Sequence, residues 1–237
     1  MGASSGMGRI CAEIFAQRGY HVGIAARRED RLQEIQTKYP NNIVYQQIDI
    51  TKDDADKQFL SLIEKNGGMD IYFHASGIGF HNEDLDYNKE ISTIEVNGLG
   101  FTRMITTAFN YFKANHIKGH IACITSIAGT KGLGTAPSYS STKRFQNTYI
   151  QSLEQLSYMH RLGITFTDIR PGFVKTELLD SKKSYPLLMD ADYVSKKIIR
   201  AIENKRRIKV VNNLYAVITF FWRLIPNWLW KHLPIKN

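Results

Sequence analysis

The 237 residues hold only two cysteines, Cys11 and Cys123. Two cannot build a disulfide framework, and they are too few and too ill-spaced for a zinc site. Cys11 falls on an expected helix and Cys123 on an expected strand, so both are expected buried and reduced, which suits a cytoplasmic setting. Acids are in short supply: 22 Asp and Glu face 31 Lys and Arg, a formal net charge of +9. The excess is scattered, with small clusters at Lys182-Lys183, Lys196-Lys197 and Lys205-Arg206-Arg207. None of these is interleaved with aromatics as in a single-strand binder, so no nucleic-acid partner is expected. The apolar run from Leu214 to Trp222 is too short to span a bilayer. No basic segment followed by an apolar stretch opens the chain, so no signal peptide is expected. Low-complexity linkers and internal repeats are missing as well. What remains is a chain that is 43% hydrophobic with mixed charge. It can fold as one domain with a full core.

Strand-like apolar runs alternate with helical periods, the pattern of a parallel sheet with helices on both faces. Strands are expected near 20–26, 43–48, 70–75, 119–125, 164–169 and 207–211. Helices are expected over 7–18, 28–38, 52–66, 87–114, 137–160 and 191–203. In such a sheet the ligand crevice opens beyond the strand C-termini.

Two constellations carry chemistry. Tyr139 and Lys143 lie four residues apart, so both leave the same face of a helix. A neighbouring ammonium favours the phenolate, which is expected to let Tyr139 give or take a proton near neutral pH. Ser126, thirteen residues earlier at a strand end, can hydrogen-bond the same substrate oxygen. At the start of the chain, Gly2-Ala3-Ser4-Ser5-Gly6-Met7-Gly8 opens an amphipathic run. Glycines there let the backbone approach a pyrophosphate, and the helix N-terminus adds N–H donors. Arg27 and Arg28 follow the next strand, where an arginine accommodates a 2′-phosphate. NADP(H) is therefore favoured, with NAD(H) as the alternative. The bland alternatives are a surface Tyr/Lys pair and solvated arginines at a helix start.

Together these motifs resemble the short-chain dehydrogenase/reductase family along nearly the whole chain. Its T-G-x-x-x-G-x-G loop matches Gly2, Gly6 and Gly8, with Met1 in place of threonine; Y-x-x-x-K matches Tyr139 and Lys143. The resemblance implies a Rossmann-type doubly wound α/β sheet and a catalytic set of Asn97, Ser126, Tyr139 and Lys143. In it Asn97 holds a water that links Lys143 to solvent. It further implies cofactor contacts from Gly2, Ser4, Ser5, Gly6, Met7, Gly8, Arg27, Arg28, Asp49, Ile50, Ala75, Ser76, Gly77, Tyr139, Lys143, Pro171, Gly172, Val174 and Thr176, and no metal. The family's N-N-A-G reads His74-Ala75-Ser76-Gly77 here. His74 is expected to be structural, with its nitrogens satisfied.

The family's first strand, which precedes the glycine loop in mid-sheet, has no residues in this sequence. Either the sequence starts late relative to the natural protein, the preferred explanation, or another segment fills the slot. Residues 1–212 are expected to form the catalytic domain, with a substrate flap at 176–190. Residues 213–237 carry all three tryptophans, Trp222, Trp228 and Trp230. They read as an aromatic helical tail packed on the pocket or a dimer partner, or laid on a membrane surface from the cytoplasmic side. The tail is similar to that of a family branch reducing decaprenylphosphoryl keto-ribose, which would imply a lipid-linked carbonyl; a small soluble ketone or aldehyde is the broader expectation. By resemblance a homodimer or homotetramer is expected. The rival readings are a catalytically silent nucleotide sensor or scaffold of the same fold, and a membrane-surface interaction protein driven by the tail.

Overall fold

The computed structural model describes residues 1–179 and 183–235, so Lys182 and Lys236 lie outside the described residues. Six strands form where the apolar runs place them: β1 (Val22–Ala26), β2 (Ile43–Gln47), β3 (Ile71–His74), β4 (His120–Ile124), β5 (Thr165–Arg170) and β6 (Ile208–Val210). Every pairing is parallel, in two sheets ordered β1-β2 and β3-β4-β5-β6. All five residues of β4 are buried, as a parallel strand covered on both faces requires.

Helices α1 (Gly6–Gln17) and α7 (Ala191–Glu203) cover one face. Cys11 and Phe15 of α1 pack there with Val194, Ile198 and Ile202 of α7. The other face is covered by α3 (Ala55–Lys65), α5 (Phe101–Ala114) and α6 (Pro137–Met159), through Phe59, Leu62, Met104, Phe112, Ile150 and Leu153. Phe101 and Phe112 are fully buried, each stabilising the fold by about 1.5–3 kcal/mol relative to exposure. Helix α2 (Glu29–Lys38) seats Leu32 and Ile35 on β1 and β2. The doubly wound plan is therefore present.

The run expected as one helix over 87–114 is three pieces: α4 (Tyr87–Ile94), a π-helical segment (Glu95–Gly100) and α5. At the end of the π-helical segment Gly100 lets the chain pack closely on Ile50, since a Cβ there would come within 2.7 Å of Ile50 Cγ1 and 3.1 Å of the Ile50 carbonyl oxygen. The tail forms α8 (Asn213–Leu224) and α9 (Asn227–Trp230).

Among the described residues, no strand lies between β1 and β3. The alternative that another segment fills this slot is not met. Instead the first residues stitch the two sheets at the rim. The Met1 amine donates to the Phe73 carbonyl (2.9 Å), the Ala75 N–H to the Met1 carbonyl (2.9 Å) and the Gly2 N–H to the Ala25 carbonyl (2.7 Å). Beyond them β1 and β3 flank a cavity of about 570 Å³ lined by Gly23, Phe59, Leu62, Ile63 and Tyr72 among others.

Candidate active site

The glycine loop is tight because nothing larger fits. Gly2 has φ +86°, and a Cβ on it would lie 2.6 Å from the Ser76 nitrogen. A Cβ on Gly8 would lie 2.2 Å from the Gly2 oxygen. Gly6 also has positive φ (+53°) and opens α1, whose first N–H groups face the space above the loop. That space is a cleft of about 410 Å³. Gly2, Ser4, Ser5, Gly6, Met7 and Gly8 line one side. Arg27, Arg28, Asp49 and Ile50 line one end, Ala75, Ser76 and Gly77 the opposite wall, and Thr176 the roof. Sequence reasoning did not single out Ile78, Val96 and Glu177, which also line it, beside Leu178 of the expected flap.

The two arginines differ. Arg27 is exposed. Arg28 lies against the loop, its Nη2 donating to Ser5 Oγ (2.6 Å) and Ser4 Oγ (3.1 Å). Its Nη1 donates to Glu177 (2.9 Å), which also accepts from Arg31 (2.6 Å). Hydrogen bonds from Arg31 and Arg28 hold the Glu177 carboxyl down at about 2. Asp49 accepts from the Thr51 N–H and hydroxyl (3.0 and 2.8 Å), which fixes its orientation at the cleft.

Ser126 ends the β4 excursion and caps a short 3-10 turn (Ile127–Thr130), its Oγ accepting from the Ala128 N–H at 3.1 Å. Tyr139 and Lys143 leave α6 toward it. Burial pushes the Tyr139 phenol up, and a hydrogen bond with the Ser126 hydroxyl works the other way. The Lys143 ammonium lies over the ring face, 5.6 Å from the centroid. The expectation that this ammonium lowers the phenol's acidity constant is therefore corrected: burial wins and the phenol stays protonated. Burial also brings the Lys143 amine down to about 8.

Lys143 Nζ donates to Gln146 Oε1 (3.1 Å) and the Ile124 carbonyl (3.3 Å). Gln146 Nε2 donates in turn to the Asn97 carbonyl (2.9 Å). Gln146 thus bridges Lys143 and the Asn97 carbonyl. The Asn97 side chain clamps the Ile78 peptide, accepting from its N–H (2.9 Å) and donating to its carbonyl (2.7 Å). The π-helical offset turns Asn97 inward to do this. Gln146 was missed; its signal was a polar residue one turn after Lys143 on the buried face. Gly79 was missed too. The Tyr139 ring fills the space a Cβ would need, at 2.4 Å.

A second cavity, about 560 Å³, adjoins the cleft and holds Ser126, Tyr139 and Lys143 in its wall. Met7, Ala75, Ser76, Gly77, Ile124, Thr176 and Leu178 line both hollows. Pro171, Gly172 and Val174 face this second cavity rather than the loop cleft. The tail builds its far wall through Tyr215, Ile218, Trp222 and Ile235. Gly172 makes room for the Tyr215 ring, since a Cβ would lie 2.2 Å from it. The Tyr215 hydroxyl donates to the Pro186 carbonyl (2.6 Å), tying tail to flap.

His74 is fully buried and its Nδ1 meets the Tyr72 hydroxyl at 2.8 Å. Among the described residues its Nε2 has no hydrogen-bond partner, so the expectation of two satisfied nitrogens is half met. Burial, then the Met1 ammonium and Lys143, hold it well below the usual imidazole range. It is a neutral, structural ring.

The family model for short chain dehydrogenases matches residues 1–186. The chain belongs to the short-chain dehydrogenase family. An uncharacterized oxidoreductase of Mycobacterium tuberculosis is 31% identical to this short-chain dehydrogenase over 215 residues, covering 86% of this chain and 83% of that protein. Another, from Myxococcus xanthus, is 28% identical over 245 residues, covering 98% and 90%. Among solved structures, ElxO with NADP bound superposes with a TM-score of 0.79 at 23% identity, covering 92% of this chain and 97% of that one. An alcohol dehydrogenase of Thermococcus sibiricus complexed with 5-hydroxy-NADP gives 0.77 at 23% identity, covering 90% and 94%. At those identities the likeness is one of fold. No described helix of this short-chain dehydrogenase is long and apolar enough to cross a membrane.

Proposed function

We propose that this short-chain dehydrogenase interconverts a carbonyl compound and a secondary alcohol with NADP(H), Tyr139 acting as general acid and base. The carrying observation is the gathering of Ser126, Tyr139 and Lys143 in the wall of the cavity that adjoins the glycine-loop cleft, with the Lys143 amine over the Tyr139 ring. The loop fits a dinucleotide, because Gly2 and Gly8 let it fold tightly on itself and on Ser76, where a Cβ would clash, with Ser4 to Gly8 lining the cleft. Gly2 to Gly8 and the start of α1 would hold its pyrophosphate, and Arg28 with Arg27 a 2′-phosphate. Asp49 and Ile50 would meet the adenine. Ala75, Ser76, Gly77, Lys143, Pro171, Gly172, Val174 and Thr176 would meet the nicotinamide half. When bound, the nicotinamide supplies or accepts the hydride.

The chain's own residues do the rest. Ser126 donates a hydrogen bond to the substrate oxygen and stabilises its developing charge. Tyr139, kept protonated by burial, delivers its proton to that oxygen in reduction and takes it back in oxidation. Lys143, held by Gln146 and the Ile124 carbonyl, favours the transient phenolate. Asn97 positions Gln146 and the Ile78 peptide.

The NADP-type ligands of ElxO and the Thermococcus enzyme favour NADPH over NADH here. Phe173, Tyr185, Leu187, Ile218 and Trp222 give the cavity an apolar lining. That suits a carbonyl substrate with an apolar portion, lipid-linked keto-sugars included. The outer side of α8 exposes Phe220, Phe221 and Leu224 beside Arg223, which suits peripheral contact with a membrane surface. Flotation with anionic liposomes of the intact chain against Phe220→Ser/Phe221→Ser tests that. Exposed Ile94, Leu99 and Phe145 suit a homodimer, which sedimentation velocity tests.

The deciding experiment follows NADPH absorbance with a panel of ketones, aldehydes and lipid-linked keto-sugars. Oxidation of NADPH by one class, lost in Tyr139→Phe, supports the reading. Tryptophan quenching by NADPH with no turnover of any class moves the assignment to the nucleotide sensor.

A further inference from the structure

A further cavity, about 450 Å³, opens between α6, β5, β6 and the tail. It shares no lining residue with the two hollows of the active site. Five cationic side chains line it, Lys131, Arg144, Arg170, Arg207 and Arg223, against two carboxylates, Asp168 and Glu154. Three positive charges are thus in excess.

Both carboxylates are already engaged. Buried Asp168 accepts from Arg170 Nε and Nη2 (2.8 and 2.5 Å), from the Thr125 hydroxyl (2.5 Å) and from Asn147 Nδ2 (3.1 Å). Glu154 is engaged by Arg207 Nε (2.8 and 2.6 Å to its two oxygens). Among the described residues, Lys131 donates to neutral acceptors, the Ile225 carbonyl (2.8 Å) and Asn227 Oδ1 (2.9 Å). Among the described residues, Arg144 and Arg223 have no carboxylate within ion-pair distance. Burial and the nearby Arg170 and Arg144 press the Arg223 guanidinium below its usual value. Like charges are held together here with too few described acids to balance them, Asp168 and Glu154 against five cations, which raises the folded state's energy unless an anion enters.

We propose that this cavity is an anion site that takes a multiply charged phosphorylated small molecule. Forked guanidiniums match phosphate oxygens in pairs. The hollow is concave, unlike the flat basic stripe that a nucleic-acid backbone follows, and it is large enough for an organic phosphate. Its walls explain what occupancy would do. Arg223 sits on α8, and Lys131 grips the start of α9. On the same tail, Trp222 lines the substrate cavity. An anion held by Arg144 of the core and Arg223 of the tail therefore pins the tail that walls the active site.

Inorganic pyrophosphate is the probe, titrated calorimetrically in low-salt buffer into the full chain, Arg144→Gln/Arg223→Gln and Arg28→Gln. Both cavity arginines are exposed, so without pyrophosphate the double variant should keep the wild-type circular dichroism and a Tm equal to or above that of the wild type. The single variants Arg144→Gln and Arg223→Gln provide a second arm. The expected result is one saturable event that survives in Arg28→Gln. It weakens about tenfold or more in the double variant, as losing charged hydrogen bonds implies, and less in each single. Tryptophan fluorescence should follow the same isotherm, because all three tryptophans lie on the tail. No saturable event overturns the proposal. So does one abolished by Arg28→Gln and intact in Arg144→Gln/Arg223→Gln, which would place the anion in the glycine-loop cleft.

Discussion

Tyr139 meets two opposing influences, and their balance sets the pH behaviour. Burial raises the phenol, the Ser126 hydroxyl partly offsets this, and the ammonium over the ring face does not reverse it. Reduction needs the protonated phenol. The phenol itself should therefore stay protonated through neutral pH, and a fall in kcat for carbonyl reduction on the alkaline side should begin near pH 8, where Lys143 loses its proton, as a pH series of kcat reads out. Tyr139→Phe should lower kcat about 10²–10⁴-fold while NADPH binding, followed by tryptophan quenching, stays within about twofold. Lys143 makes a separate prediction. Its folded-state pKa of about 8 lies below the usual 10.5, so the unfolded chain binds its proton more tightly. Below pH 8 both states carry the proton and the fold bears the cost of a buried charge. Between about 8 and 10.5 the folded state alone releases it, and stability rises with pH. Urea unfolding should show the wild type gaining up to about 3 kcal/mol relative to Lys143→Met across that window. The reactive trio was legible in the sequence because helix spacing alone brings Tyr139 and Lys143 to one face. The direction of the phenol's shift was not, because spacing says nothing about desolvation or about whether an amine faces a hydroxyl or a ring.

Elements were legible to the extent that their periodicity was clean. Six strands and the main helices lie where apolar runs and helical periods put them. The π-helical segment at Glu95–Gly100 escaped, since a one-residue slip in hydrogen bonding leaves the apolar pattern nearly intact; the glycines at 98 and 100 were its only trace. The flap hides a second device that sequence could not reveal. Glu177 bridges Arg28 and Arg31 from more than a hundred residues away, across the end of the cleft where a 2′-phosphate would bind. The carboxylate and the phosphate then compete for Arg28. Glu177→Gln should tighten NADPH several-fold and leave NADH unchanged, measured by parallel fluorescence titrations. Arg28→Gln should weaken NADPH selectively. Arg27→Asp should shift preference toward NADH, and an unaltered cofactor ratio in that variant would remove Arg27 from the assignment.

On the scale of the whole molecule, the tail belongs to the site. Tyr215 fills the space that Gly172 leaves, hydrogen-bonds Pro186 of the flap and lines the substrate cavity. Tyr215→Leu should therefore raise KM for the carbonyl with a smaller change in kcat, and leave the NADPH dissociation constant unaltered. The sequence offered the pocket as one of three partners for the tail but could not choose, because aromatics at helical spacing look alike whether they face a pocket, a second subunit or lipid. The slot between β1 and β3 was legible as missing pairing, but the stitching by Met1 and Gly2 needed three-dimensional register.

Thr176 and Leu178 form a ceiling common to both hollows, with Met7 and Ala75 to Gly77 as the party wall between them. A carbonyl compound arriving first would meet an unfinished chamber, one side still open toward the empty cleft. Kinetics should accordingly be sequential with a compulsory order, nucleotide first and last. Product inhibition by NADP⁺ should be competitive against NADPH and noncompetitive against the carbonyl; a random-order pattern would mean the partition is complete without the nucleotide.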